Sequence, residues 1–183
     1  MTSEEIVVRR ASEEDREAAA RIFSESFTGS YRYWSLRLLD VLNVIVAVLG
    51  GEVVGAAELY TTYAEGYGRV GVIAFIAVDP RHRGKGIGKK LVEAAERIFR
   101  DQGCRYAAAS TRATNKASLR LFTKLGYTAY YRGEEEFERL EGPLYAYEDN
   151  VILLKKLHAQ DGDPWEEGPA GGLGKDFSKR SGV

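Results

Sequence analysis

Cysteine is nearly absent from this sequence. Cys104 is the single one in 183 residues, which excludes an internal disulfide and leaves no cysteine cluster for a zinc site; no metal is expected. Net charge is nearly absent too. The 26 basic and 27 acidic side chains leave −1, so neither nucleic acid nor an anionic membrane is an expected partner. No long hydrophobic run is present. The longest, Val41 to Leu49, contains Asn43 and falls well short of the roughly 20 residues that span a bilayer. The opening Met1-Thr-Ser-Glu-Glu5 has neither the basic start nor the apolar stretch of a secretion signal, and a cytoplasmic setting is expected. Labile side chains are scarce, with three Asn, two Gln and one Met against abundant Glu, Arg and Lys. That balance suggests a thermophilic source.

What is present suits one domain: 44% hydrophobic and 29% charged residues allow a substantial core under a charged surface. Ile6 to Arg10 reads as a strand. Ser12 and Asp15 form a capping-box-like start to a helix whose Ala18, Ala19, Ile22 and Phe23 recur at helical spacing, broken at Gly29. Tyr31 to Asp40 reads as a second short helix. Val44–Val48 and Val53–Thr62 are strands joined by the Gly50-Gly51 turn. A loop is expected over Tyr63 to Arg69. Gly71 to Val78 is an apolar strand, stopped at Asp79-Pro80. Ile87, Leu91, Ala94, Ala95 and Ile98 make a helical stripe, Arg105 to Thr111 a strand, and Asn115 to Leu125 a helix ended by Gly126. Two more strands, Tyr127–Tyr131 and Asn150–Leu157, flank an acidic connection. Beyond His158 glycine and proline accumulate. The expected organisation is a domain over residues 1–158 and a flexible tail over 159–183, with Trp165 and Phe177 as residues able to dock.

The order strand, basic loop, glycine turn, helix around Arg81 to Leu91 has a physical use. A helix start leaves backbone N–H groups unpaired and partly positive. Glycines let a diphosphate come close to that backbone. Arg81, Arg83, Lys85, Lys89 and Lys90 attract a polyanion. Two phosphate motifs are excluded by spacing. The dinucleotide fingerprint needs a third glycine where Lys89 stands. The P-loop needs a glycine and then Ser or Thr where Arg83 and Lys90 stand.

The pattern that does fit, Arg83-x-x-Gly86-x-Gly88, resembles the acetyl-CoA-binding segment of the GCN5-related N-acetyltransferase (GNAT) superfamily, and the stretch Ala77 to Leu91 is similar to it throughout. Asn115-Lys-Ala-Ser-Leu-Arg-Leu-Phe-Thr-Lys-Leu-Gly-Tyr127 resembles the family's second signature, and the order of elements from Ile6 to Leu157 agrees. The resemblance implies an α/β fold: a central mixed, mostly antiparallel twisted sheet, splayed at the cofactor site and flanked by about four helices. It implies acetyl-CoA as co-substrate, with the pantetheine arm along Ile76, Ala77 and Val78. The pyrophosphate would rest on the backbone of Arg83, Gly84, Lys85, Gly86, Ile87, Gly88 and Lys89. Asn115 would meet the pantetheine arm, Ser118 one turn further along would face the cofactor, and Phe122 would line it. Asn115 has a second role available as helix N-cap.

The implied activity is direct transfer of an acetyl group to a primary amine, on a protein or peptide N-terminus or a small cationic molecule, by a monomer or homodimer. Such transfer wants a base for the amine and an acid for the thiolate, with a backbone N–H near Ala77 or Val78 for the oxyanion. Here the familiar positions depart from the family. The acid's tyrosine is Phe122, the early carboxylate of the central strand is Gly71 or Val72, and the base of the following strand is Ser110. The remaining candidates are Glu58, which alternation places on a polar sheet face, and Tyr60, Tyr145 and Tyr147. Phe27, Tyr31 and Tyr147 are the expected acceptor contacts, beside an acidic rim of Glu134, Glu135, Glu136, Glu138 and Glu141. The departures also allow a non-catalytic acetyl-CoA-binding regulatory domain. His82 and His158 read as solvated, and Cys104 as a small buried side chain.

Overall fold

Apolar runs rich in valine and alanine favour a sheet buried on both faces, and seven strands form one in the computed structural model, which describes residues 4–158. They are β1 (Val7–Arg10), β2 (Asn43–Leu49), β3 (Glu52–Ala64), β4 (Gly68–Val78), β5 (Tyr106–Thr111), β6 (Thr128–Tyr131) and β7 (Val151–Lys156). Their spatial order is β1-β2-β3-β4-β5-β7-β6. Every neighbouring pair is antiparallel except β4 with β5. Helices α3 (Ile87–Asp101) and α4 (Lys116–Lys124) cover one face, over a core that includes Ile45, Leu59, Leu91 and Phe99. The other face is shared by α1 (Arg16–Ser26), packed through Ile22 and Phe23, and α5 (Glu135–Leu140), packed through Phe137 and Leu140. Between α1 and β2 lies α2 (Gly29–Arg37). No helix of the described residues is long and apolar enough to cross a membrane. The tail expected over 159–183, with Trp165 and Phe177, lies outside the described residues.

Three local expectations are corrected. The acidic connection contains α5, which brings the α-helices among the described residues to five. Its glutamates Glu135, Glu136 and Glu138 occupy the first turn, where negative charge suits the helix dipole, and only Phe137 and Leu140 mark the buried side. The loop expected over Tyr63 to Arg69 is a three-residue turn, because the β3–β4 ladder runs on to Ala64↔Gly68. Gly29 does not end α1. The break is the extended pair Phe27 and Thr28, and Gly29, at φ +58°, opens α2.

The feature that organises the fold is a parting of strands. β4 pairs with β5 only from Val70 to Val72. Beyond that point β4 stays paired with β3 as far as Val78↔Gly55, and β5 stays paired with β7 as far as Thr111↔Val151. A bulge inserts Ala74 between the rungs Leu59↔Ile73 and Glu58↔Phe75, and a bulge bends its strand. Just before the parting, Gly71 leaves room for Phe99 of α3. A Cβ there would lie 2.1 Å from the Phe99 ring. Gly55 likewise lets β3 approach α3, less closely, with its Cβ position 3.0 Å from Ile87 and 3.1 Å from Leu91.

Gly71→Ala therefore separates packing from propensity. Alanine in a strand gains a few tenths of a kcal/mol to about 1 kcal/mol over glycine, yet the clash with Phe99 is expected to lower stability by about 3 kcal/mol in chemical denaturation.

Candidate active site

The edge left open by the parting has definite polarity. The amide of Asp79 donates to the carbonyl of Val54 at 2.8 Å. In an antiparallel ladder alternate residues turn both backbone groups to the same side. Asp79 and Ala77 thus face β3, while Ile76 and Val78 turn their N–H and C=O groups toward the gap. The Ala77 carbonyl lies 3.3 Å from the Cβ position of Gly55, on the β3 side. Of the three residues expected to offer backbone groups, Ile76 and Val78 do so. Those of Ala77 are turned to Ala56, its ladder partner.

The open edge runs into the glycine turn. Asp79 is buried and holds the turn together. It accepts from the Arg81 amide at 3.0 Å and from the Arg81 guanidinium at 3.2 and 2.9 Å, and Arg21 approaches to 3.7 Å. The hydrogen bonds from Arg81 bring its carboxyl down to about 2 despite burial. Gly84 and Gly86 lie in the left-handed region at φ +79° and +78°, which a side chain rarely adopts. The Lys90 amide bonds back to the Gly86 carbonyl at 3.2 Å. The amides of Ile87, Gly88 and Lys89 precede it and have no intrahelical partner. Arg83 and Lys85 stand exposed beside them. The Arg83 Nε donates to the Val78 carbonyl at 3.4 Å, and the Lys85 Nζ lies 3.3 Å from the His82 Nδ1. Lys89 is exposed, 3.9 Å from Glu93. Among the described residues one group resembles a metal site, Glu52, Asp79 and His82, and in it Asp79 is already held by Arg81.

From the α4 side, Asn115 caps its helix as expected, accepting from the Ser118 amide at 3.2 Å. Leu121 lies 3.3 Å from the Cβ position of Gly88, so α4 abuts the start of α3. Phe122 departs from expectation. It is 2% exposed, with its ring edge-on to Tyr127 at 5.0 Å in the main core. The cofactor contact expected of it finds no exposed surface.

The opposite face of the parting carries the other candidates. Glu58 is not on a polar face. It is 0% exposed and neither carboxylate oxygen has a hydrogen-bond partner among the described residues. Its lateral neighbours are Val44 and Phe75. Both faces of β3 are covered, so alternation there changes only which core a residue enters. Burial pushes the Glu58 carboxyl up to about 8. The Phe75 ring meets Phe27 at 5.6 Å and Tyr31 at 6.1 Å, so two of the expected acceptor residues do converge. Tyr60 donates to the Leu144 carbonyl at 3.0 Å and its ring meets Tyr145 at 6.4 Å. Tyr145 and Tyr147 are 75% and 63% exposed. The acidic rim is largely engaged locally. Glu134 and Glu138 accept from backbone amides, and Glu135 and Glu141 pair with Arg139 and Arg132.

One residue here was not foreseen. Asp149 is 9% exposed and accepts from the Ser110 Oγ at 2.6 Å and from the Tyr31 hydroxyl. Burial and this bond raise the Tyr31 hydroxyl pKa well above its ordinary value. No periodicity flags Asp149. The only sequence cue is an acid at the mouth of the last strand.

With this geometry in view, comparison with known proteins is specific. The family model described as Acetyltransferase (GNAT) family matches residues 9–127. The chain is 37% identical over 101 residues to the Arabidopsis thaliana protein named "Probable N-acetyltransferase HLS1", covering 53% of this chain and 24% of that one. It is 37% identical over 82 residues to N-alpha-acetyltransferase 30 of Xenopus laevis, covering 45% of this chain and 30% of that one. The chain thus spans less than a third of the length of either relative. Among solved structures, a chain of the NatC complex bound to Gag peptide and CoA superposes with a TM-score of 0.61 at 20% identity, over 84% of this chain and 99% of that one.

The raised proton affinity of Glu58 has a measurable sign. Its carboxyl moves from the ordinary 4.5 to about 8 on folding. The folded state therefore holds the proton more tightly. The stability this contributes is complete below pH 4.5 and is lost as pH rises toward 8. Glu58→Gln removes that loss. Its stability relative to the unsubstituted protein should climb between pH 5 and pH 8 by as much as about 4 kcal/mol and then level off. Thermal denaturation across that range checks this, and a flat difference refutes it.

Proposed function

Because the chain belongs to the acetyltransferase (GNAT) family, we propose that it transfers an acetyl group from acetyl-CoA to a primary amine by direct attack, the amine being a protein or peptide N-terminus or a small cationic molecule. One observation carries the reading: the outward-facing backbone of Ile76 and Val78 leads directly into the left-handed turn at Gly84 and Gly86. An unpaired strand edge wants amide partners, which a pantetheine arm has. A turn with free helix-terminal amides and exposed Arg83 and Lys85 suits a pyrophosphate. Asn115 and Ser118, both half-buried, belong to the start of α4, which follows β5 directly.

Acetyl-CoA supplies the acetyl group as a thioester. The chain's part is to hold it, to stabilise negative charge on the carbonyl oxygen, and to move the amine's proton. The outward N–H of Val78 or Ile76 is the donor available for the oxyanion. Among the side-chain candidates Glu58 titrates nearest neutrality, at about 8, but it is fully buried and has no hydrogen-bond partner among the described residues. The Tyr60 hydroxyl is committed to Leu144 and is made less acidic by burial. Tyr145 and Tyr147 are exposed and suit contact with the body of an acceptor. Phe122 has no proton to give. A thiol pKa of about 8.5 makes the thiolate a tolerable leaving group without an acid. The likeness to N-alpha-acetyltransferase 30 supports the N-terminal amine. A cytoplasmic setting and a thermophilic source, supported by the sequence alone, and a monomer or homodimer, implied by the resemblance, belong to the same reading.

A second reading, a regulatory domain that binds acetyl-CoA without turnover, is favoured by Phe122 and by the Phe99 ring that fills the space beside Gly71. Two measurements separate them. Acetyl-CoA should bind the full chain, and the double variant Arg83→Ala, Lys85→Ala should weaken that binding about tenfold and flatten its salt dependence. Release of CoA should then accelerate with at least one member of a panel of free N-terminal peptides and polyamines. Tight binding with no amine-dependent release would establish the regulatory reading instead.

A further inference from the structure

Level with the bulge of β4, the gap is bordered by one charged group that the proposed transfer has not used. The parallel register Val70↔Tyr106 to Val72↔Ala108, carried two residues further, brings Ser110 level with Ala74. Ser110 shares its face of the sheet with its ladder partner Ile152 and with Ala108, in the core beneath α5. Its Oγ donates to Asp149. From the far side of the gap Tyr31, whose ring meets Phe75, donates to the same carboxylate. Three segments distant in sequence thus place Asp149 over the opening between β4 and β5.

We propose that the carboxylate of Asp149 is the anion that receives the acceptor's primary ammonium, an inference that rests on the acetyltransferase reading and specifies its acceptor site. A carboxylate offers about four acceptor positions, and Ser110 and Tyr31 fill two. Both donors are neutral. Among the described residues no lysine or arginine pairs with this carboxylate. Arg132 donates instead to the Asp149 backbone carbonyl at 2.6 Å. Arg112 lies over the Tyr31 ring at 5.1 Å and donates to the Glu148 carbonyl. A nearly buried anion without a counter-charge is costly, and a ligand ammonium removes that cost while filling the remaining acceptor positions with its N–H donors. The rings of Phe27 and Phe75, which meet Tyr31, suit a cation further. Glu58, on the other side of Phe75, does not compete. It is closed to solvent and carries its proton at neutral pH.

The test titrates the full chain, saturated with CoA so that no turnover occurs, with a pool of tetrapeptides bearing free N-termini and, separately, with spermidine. N-acetylated tetrapeptides serve as the blank. At least one amine source should bind, and which one does identifies the source of the ammonium. The blank should not bind. Asp149→Asn should weaken amine binding at least about tenfold while CoA affinity stays unchanged. Should Asp149→Asn fail to fold, the pair Ser110→Ala and Tyr31→Phe, which strips the carboxylate of its two donors, should still shift amine affinity and leave CoA affinity alone. Equal amine binding by the parent and the folded variant overturns the proposal, as does binding by neither source. Replacing CoA by acetyl-CoA distinguishes the two levels. Amine binding that depends on Asp149 without acetyl transfer would uphold the ammonium site and overturn the acetyltransferase reading.

Discussion

Backbone groups in a sheet are obligatory hydrogen-bonding groups, and leaving a central strand half-paired is unfavourable unless other partners are provided. Past Val72, β4 accepts that condition, and much of the structure depends on it. The bulge at Ala74 turns the strand. Gly71 and Gly55 let α3 settle onto β4 and β3 through Phe99, Ile87 and Leu91. That close approach sets the first turn of α3 beyond the end of the open edge. Buried Asp79 then anchors the connecting turn to Arg81 and, through Arg21, to α1. The unpaired strand edge and the unpaired helix amides thereby become one continuous row of donors.

Three buried carboxylates near this row meet burial in three ways. Asp79 is saturated by guanidinium and amide donors, and those bonds outweigh desolvation, so its carboxyl falls to about 2. Glu58 has no partner among the described residues, desolvation acts alone, and its carboxyl rises to about 8. Asp149 takes two neutral hydroxyl donors and no cation. The first is a structural clasp. The second is a proton carrier by environment. The third is an anion with acceptor positions remaining. Charge type is the same in all three, and the local donors set what each can do.

Much of the fold was legible because it rests on local pattern. The apolar runs marked all seven strands, Gly126 ended α4, and Asn115 capped it. The glycine turn was legible because phosphate recognition by a helix start needs its residues in sequence. What escaped depends on distant partners. Helix α5 was hidden because two buried residues, Phe137 and Leu140, sit among five glutamates. The β3–β4 hairpin extended beyond its apolar stretch because ladder bonds continue through Tyr63 and Arg69 regardless of side chain. Glu58 was misplaced because alternation assumes one wet face, and α1 and α3 cover both faces of β3.

The same distinction explains why the two halves of the site differ in legibility. Most of the proposed donor half lies within residues 76–89, so spacing alone excludes rival phosphate motifs. The proposed acceptor half draws on α1, α2, β3, β5 and the segment before β7. The Tyr31–Asp149 bond joins residues 118 apart in sequence. No periodicity relates them, and each looks ordinary alone: a helix tyrosine, a strand serine, an acid in an acidic stretch. Their shared role follows only from the parting of β4 and β5, which brings α2 and the β7 entry to opposite sides of one gap. The positions beside Gly71 and at Phe122 are closed by packing against Phe99 and Tyr127. The candidates that remain, Glu58 and Asp149, both lie on the face covered by α1 and α5, on either side of Phe75.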